Sequence, residues 1–225
     1  MKVLELFSGT HSFGKVAQAK GWDVVSLDID GRATINEDIL TWDYKAEHKA
    51  IQPEFDIIWA SPPCDDYSCM NYCRPEKKLD LTHANDMVKK TLEIIDYFKP
   101  KIWFIENPQT GMLKNQDFMK DIPYYDVDYC MYGGMLRKRT RIWTNLEGFS
   151  PKLCNRKCGI IKDGRHPSFS YMNIKGVNRL DLRHTIPPDL IKSLCEGAIM
   201  SSAMSSAMSS AMSSAMSSAM SSAKS

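Results

Sequence analysis

The sequence predicts an α/β fold, a doubly wound and mostly parallel sheet, and three observations carry that expectation. Short apolar runs recur along the first half of the chain, and each stops abruptly at polar residues. Segments with apolar residues at helical spacing lie between them, the alternation expected of strand–helix–strand units. The chain has 225 residues, and the last couple of dozen are low-complexity. What remains fits one globular domain with a sizeable core and leaves no room for a second full domain.

Val3-Leu4-Glu5-Leu6-Phe7 is the first apolar run and halts at Ser8-Gly9-Thr10. Phe13, Val16 and Ala17 follow at helical spacing up to Lys20-Gly21, which reads as strand, glycine turn, helix. Asp23 to Leu27 ends on Asp28-Ile29-Asp30, and Phe55 to Ala60 ends on Ser61-Pro62-Pro63. Lys101 to Ile105 ends on Glu106-Asn107-Pro108. Between the last two, Met87, Val88, Leu92, Ile95 and Phe98 trace one apolar stripe over Leu81 to Phe98, and Lys99-Pro100 terminates it; this predicts a crossover helix. In such a sheet ligands sit outside the carboxyl ends of the strands, so these polar ends are expected along one rim.

From Tyr124 to Asn145 the pattern alternates with period two around Gly133-Gly134, predicting an antiparallel hairpin at the sheet edge. The chain is therefore divided into a main domain over 1–145, a small irregular basic insert over 146–183 and a C-terminal helix over 184–199 that returns to the domain. Pro187-Pro188 opens that helix. Residues 200–225 repeat Met-Ser-Ser-Ala with a strict period of four. Such a tail cannot bury a core and is expected to be disordered, a repeat expansion rather than a Met stripe for a partner.

The formal net charge of +2 hides an asymmetry. Residues 1–136 hold 15 Lys+Arg against 22 Asp+Glu, whereas residues 137–183 hold 12 against 3. A basic block on an acidic domain is the footprint of phosphate-backbone binding, the alternative being a solvated basic face. Seven cysteines at irregular spacing, no apolar signal segment at Met1-Lys2-Val3-Leu4 and no bilayer-length apolar stretch predict a reduced, cytoplasmic protein with no membrane partner.

Cys64, at a strand end and constrained by two prolines, is placed to attack a bound electrophile if its thiolate is favoured; alone it reads equally well as a buried structural thiol. Glu106 ends a second strand, where a carboxyl among apolar walls can stay protonated and donate to a ring nitrogen. Together they form a candidate site.

Phe7-Ser8-Gly9, Pro62-Pro63-Cys64 with Tyr67-Ser68, Glu106-Asn107-Pro108 and Arg139-Thr140-Arg141 resemble, in order and spacing, the motifs of cytosine-C5 methyltransferases. The resemblance covers roughly residues 3–145. It implies the Rossmann-like fold of S-adenosylmethionine-dependent methyltransferases, and a reaction in which Cys64 adds to C6 of a flipped cytosine while Glu106 engages N3. C5 then takes the methyl group. By the same resemblance Arg139 and Arg141 complete the catalytic set, and Ser68, Asn107, Pro108 and Arg137 hold the substrate. Phe7, Ser8, Gly9, Thr10 and Ser12, with Asp28-Ile29 and Asp38-Ile39, hold the cofactor.

The sequence departs from that family at four positions: His11 replaces a second glycine, Asp65 and Arg137 replace glutamines, and His184 replaces an asparagine. Double-stranded DNA is the expected partner, read by the insert, with a monomeric enzyme acting in the cytoplasm, that of a host cell if the gene is viral. Transfer RNA is the alternative substrate, and a catalytically silent DNA-binding module the alternative of another class. Cys154, Cys158 and His166 in the insert are the weaker candidates for a zinc site, and the balance falls against zinc because no fourth ligand is evident nearby. Cys69 and Cys73 read as packing or loop residues, and His48, His83 and His184 as ordinary polar side chains.

Overall fold

The computed structural model describes residues 1–46, 54–69, 71, 80–167 and 179–203. The expectations placed on His48, Cys73, residues 204–225 of the tail and residues 168–178 of the insert lie outside the described residues.

Six strands form one sheet: β1 (Lys2–Leu6), β2 (Asp23–Leu27), β3 (Ile57–Ala60), β4 (Ile102–Pro108), β5 (Tyr124–Asp128) and β6 (Arg139–Thr144). Their order is β2-β1-β3-β4-β6-β5. The first four run parallel, and β6 lies antiparallel between β4 and β5. The hairpin expected from the alternation is present, with β5 on the edge. β4 is longer than the apolar run suggests because pairing with β6 carries the ladder through Glu106, Asn107 and Pro108.

Strand periodicity splits the apolar residues between two faces. Val3 and Trp59 join one core, and Leu4, Leu6, Ile58 and Ala60 the other. All four residues of β3 are buried, as a central parallel strand covered on both faces requires. Helix α1 (Ser12–Ala19) buries Phe13, Val16 and Ala17 on the first face, where Phe13 stacks on Trp59 with ring centroids 4.8 Å apart. Helix α2 (Thr82–Phe98) lays Val88, Ile94 and Ile95 on the second. Asp80 Oδ1 accepts the Thr82 amide at 2.9 Å where α2 begins. The helix ends at Lys99, in the left-handed region, before Pro100, which has no amide to continue it. With helices on opposite faces the sheet is doubly wound, and truncating Trp59 or Phe104 to alanine would cost about 3–5 kcal/mol.

A short helix, α3 (Arg179–His184), precedes α4, residues 188–203. Leu190, Ile191, Leu194 and Ala198 of α4 join the first core, and Ser12 Oγ accepts the Ile186 amide at 3.1 Å. The helix continues to Ala203 through the first residues of the repeat, since Ser, Ala and Met contain nothing that breaks a helix. No helix among the described residues is long and apolar enough to cross a membrane.

Candidate active site

The carboxyl ends of β1, β2, β3 and β4 gather on one rim around a cavity of about 310 Å³. Phe7, Ser8, Gly9, Thr10, Ser12, Asp28, Ile29, Asp38 and Ile39 all line it, so the residues expected to hold a cofactor are brought together. Asp28 Oδ2 accepts the Gly9 amide at 2.8 Å, tying the end of β2 to the turn after β1. Ile29 is 76% exposed at the rim, and Ser8 Oγ is buried with no partner among the described residues.

His11 keeps the left-handed backbone that glycine adopts without strain, with φ 54. A side chain there costs on the order of 1 kcal/mol. The loop shape is held by a 2.6 Å bond from the His11 amide to Ser8 O. Beneath the loop Glu5 is buried, and its Oε1 accepts the Phe13 and Gly14 amides at 3.0 Å each. Burial pushes this carboxyl up to about 7. His11 Nδ1 lies 3.6 Å from Oε2.

Cys64 is half-buried, and burial pushes its thiol up while Lys138 pulls it down. Glu106, 5% exposed, also lines the cavity. Its surroundings are not the apolar walls the sequence suggests. Tyr129 donates its hydroxyl to Glu106 Oε1 at 2.8 Å, and Lys138 Nζ donates to the same oxygen at 3.3 Å. The Lys138 ammonium also sits over the Tyr129 ring, 5.2 Å from its centre. Asn107, fully buried, donates from Nδ2 to Pro62 O at 3.0 Å and so ties the end of β4 to the loop that carries Cys64.

A second cavity of about 780 Å³ adjoins the first. Ser68, Pro108, Arg137 and Arg139 line it, and Cys64, Lys138 and His184 line both. The three arginines of β6 and its approach have different fates. Arg139 faces the cleft with a half-exposed side chain. Arg137 is held by the buried Asp128, Nε to Oδ1 at 3.2 Å and Nη2 to Oδ2 at 3.3 Å.

Arg141, expected in the catalytic set, lines neither cavity. Its guanidinium makes a two-pronged pair with Asp126, at 2.7 and 2.9 Å, and lies 3.5 Å from the centre of the Tyr124 ring. The register explains this. Arg141 pairs with Asn107 and Ile142 with Glu106 across β4 and β6, and directly opposed residues share a face while neighbours alternate. Arg141 therefore stands on the face opposite Glu106; Arg139 shares that face and lines the second cavity from the first position of β6.

The insert residues Cys154, Cys158 and His166 do come together, and Cys130 joins them. His166 Nε2 lies 3.3 Å from Cys154 Sγ, 3.1 Å from Cys158 Sγ and 3.8 Å from Cys130 Sγ. Cys130 stands in the 3₁₀ turn Tyr129–Tyr132 that follows β5, outside the insert.

Sequence reasoning missed Glu5, Tyr129, Lys138, Cys130 and the position of His184. Lys138 was hidden inside a run of like cations, and Tyr129 inside an alternating strand. Glu5 alone left a signal, an acid in the middle of an otherwise apolar run.

The chain matches the family model described as C-5 cytosine-specific DNA methylase over residues 1–124. It is 38% identical over 219 residues to a protein of Frog virus 3 (isolate Goorha) named "Probable DNA (cytosine-5)-methyltransferase", covering 87% of this chain and 99% of the relative. The chain belongs to the C-5 cytosine-specific DNA methylase family. Among solved structures it resembles a prophage-encoded protein titled "putative DNA modification methyltransferase" (E. coli), with TM-score 0.52 and 18% identity over 69% of this chain and 52% of the other. That likeness bears on the fold. The S. pombe Dnmt2 methyltransferase matches with TM-score 0.47 and 12% identity over 79% and 61%. The chain spans roughly half to three-fifths of the length of these solved chains.

Proposed function

We propose that this protein transfers a methyl group from S-adenosylmethionine to C5 of a cytosine swung out of double-stranded DNA. The observation that carries the reading is the meeting of the two cavities at Cys64. One cavity suits a small cofactor, and the other is a cleft beside cationic residues. The reacting groups stand where they join.

The rim residues fit the cofactor. The exposed Ile29 offers an apolar surface to a flat ring, Asp28 at the end of β2 suits ribose hydroxyls, and the unpartnered Ser8 Oγ is left for a polar atom of the ligand. When bound, the cofactor supplies a methyl group on a positively charged sulfur.

The chain's own residues supply the rest. C5 of a neutral pyrimidine is a poor nucleophile, so one hard step is split into addition and elimination. The Cys64 thiolate forms a bond to C6, and the displaced electron pair moves towards N3, where Glu106 supplies a proton. The electron-rich C5 would take the methyl group, the sulfur keeping the bonding pair as a neutral thioether. Loss of the C5 proton to solvent then expels the Cys64 thiolate, and return of the N3 proton to the Glu106 carboxylate restores the neutral ring. Lys138 and Tyr129 hold Glu106 in place through Oε1. Base flipping is required because C6 is out of reach inside the stack. We assign residues 146–183 and Arg139 to holding the DNA, and place the reaction in the cytoplasm, where the free cysteines would stay reduced.

The test uses duplex DNA and transfer RNA carrying 5-fluorocytosine, with labelled S-adenosylmethionine, because fluorine cannot leave as the proton does. A covalent adduct with duplex DNA, absent from Cys64→Ser, is the expected result. An adduct with transfer RNA alone would reassign the substrate. No adduct with either, in a protein that binds the cofactor, would leave a silent binding module.

A further inference from the structure

Residues 147–167 face a physical problem. Cys154 is the one buried residue in that stretch, so the segment has no apolar core of its own to offset the entropy of ordering it. It nevertheless lies against the catalytic sheet. Asp128 Oδ2 accepts the Cys154 amide at 2.7 Å, and Arg137 Nη2 donates to Cys154 O at 3.4 Å.

At that point Cys130, Cys154, Cys158 and His166 converge, their ligand atoms all within 4.8 Å of one another. Tetrahedral zinc with sulfur at about 2.3 Å and nitrogen at about 2.0 Å places each sulfur roughly 3.5 Å from the nitrogen. The three sulfur–nitrogen distances, 3.1, 3.3 and 3.8 Å, bracket that value. Three thiols and one imidazole are a zinc donor set, and four protein ligands leave no position open for catalysis.

We propose that Cys130, Cys154, Cys158 and His166 bind one structural zinc ion that fastens the basic insert to the catalytic sheet. Cys130 comes from the sheet side and the other three ligands from the insert, so the metal bridges the two. Cys130 also directly follows Tyr129, whose hydroxyl holds Glu106, so the same clamp steadies one wall of the site. Its energy is folding energy for a segment that has little other. The proposal is independent of the methyl-transfer reading.

The experiment measures zinc by mass spectrometry on the full chain purified without chelator, then replaces it with Co²⁺ and records the absorption spectrum. About one equivalent of metal per chain, with the thiolate charge-transfer and visible bands of tetrahedral cobalt, is expected. Cys130→Ser and His166→Ala should each bind at least about tenfold more weakly, while Cys195→Ser, a core thiol far in sequence from the cluster, should keep the metal. If the ligand variants fail to fold, the zinc content and cobalt spectrum of the unaltered protein still decide. Folded protein that holds less than about a tenth of an equivalent and takes up no added Zn²⁺ would overturn the proposal. So would a disulfide among Cys130, Cys154 and Cys158 in peptide mapping, or unchanged affinity and spectrum in Cys130→Ser.

Discussion

The Lys138 ammonium lies 3.3 Å from Glu106 Oε1 and acts on Cys64 against the burial that pushes the thiol up. Replacing it with an apolar side chain of similar length removes the larger of the two cationic effects, from Lys138 and Arg183, that ease thiolate formation, while leaving the burial. In Lys138→Met the acid limb of kcat/KM against pH should therefore move to higher pH, with turnover at neutral pH falling about tenfold or more. The pH dependence of Cys64 alkylation by iodoacetamide should shift in parallel. If alkylation keeps its profile while turnover falls, Lys138 serves Glu106 alone. Glu5 poses a different question of charge. Its folded value of about 7 lies above the ordinary 4.5, raised first by burial. The protonated carboxyl is thus the form the fold favours: its contribution is fully present below about 4.5 and is lost as pH rises through 7. The cost at alkaline pH is at most about 3 kcal/mol. Urea titrations at pH 5 and pH 8 should show the unaltered protein losing roughly 2–3 kcal/mol relative to Glu5→Gln, which carries no such proton. Equal pH dependence in the two proteins would count against a raised Glu5.

At the scale of elements, the site is set by what joins neighbouring strand ends. The Asn107 bond to Pro62 O links β4 to the loop after β3 and leaves the Cys64 loop braced from below. Asn107→Ala would leave Pro62 O without its donor, at a cost of about 1–3 kcal/mol in urea or thermal unfolding. Turnover should fall with it even at saturating cofactor. The same elements show what the sequence made legible. The rim could be read because the apolar run of each parallel strand stops at polar residues, so Ser8, Asp28 and Ser61 mark strand ends and Glu106 marks the point beyond which β4 pairs with β6 alone. The hairpin could be read from the alternation that pairs Tyr125 with Ile142 and Val127 with Thr140. Which face each β6 residue takes could not be read from composition. It follows from the register with β4, which sends Arg141 to Asp126 and leaves Lys138, just before the strand, to reach Glu106. Cys130 escaped for a related reason: it lies in the turn after an edge strand, 24 residues before Cys154, and only folding closes that distance.

For the molecule as a whole, the count of cations in residues 137–183 overstates what is offered to a phosphate backbone. Arg137 and Arg141 are committed to Asp128 and Asp126, and Arg183 lies 3.4 Å from Asp65. Arg139 lines the cleft, is 54% exposed, and approaches Asp128 only at 3.8 Å. Two arginines two residues apart on one strand should therefore answer salt differently. Each phosphate contact releases counterions, so the slope of log K against log salt counts the cations engaged. Measured by fluorescence anisotropy on a labelled duplex, Arg139→Ala should weaken binding across unrelated sequences and reduce that slope by about 1. Arg141→Ala should leave the slope within error and instead destabilise the β5–β6 edge, since it strands Asp126 and uncovers Tyr124. A slope reduced equally by both substitutions would mean that Arg141 leaves Asp126 when DNA binds, and that the edge of the sheet rearranges around the substrate.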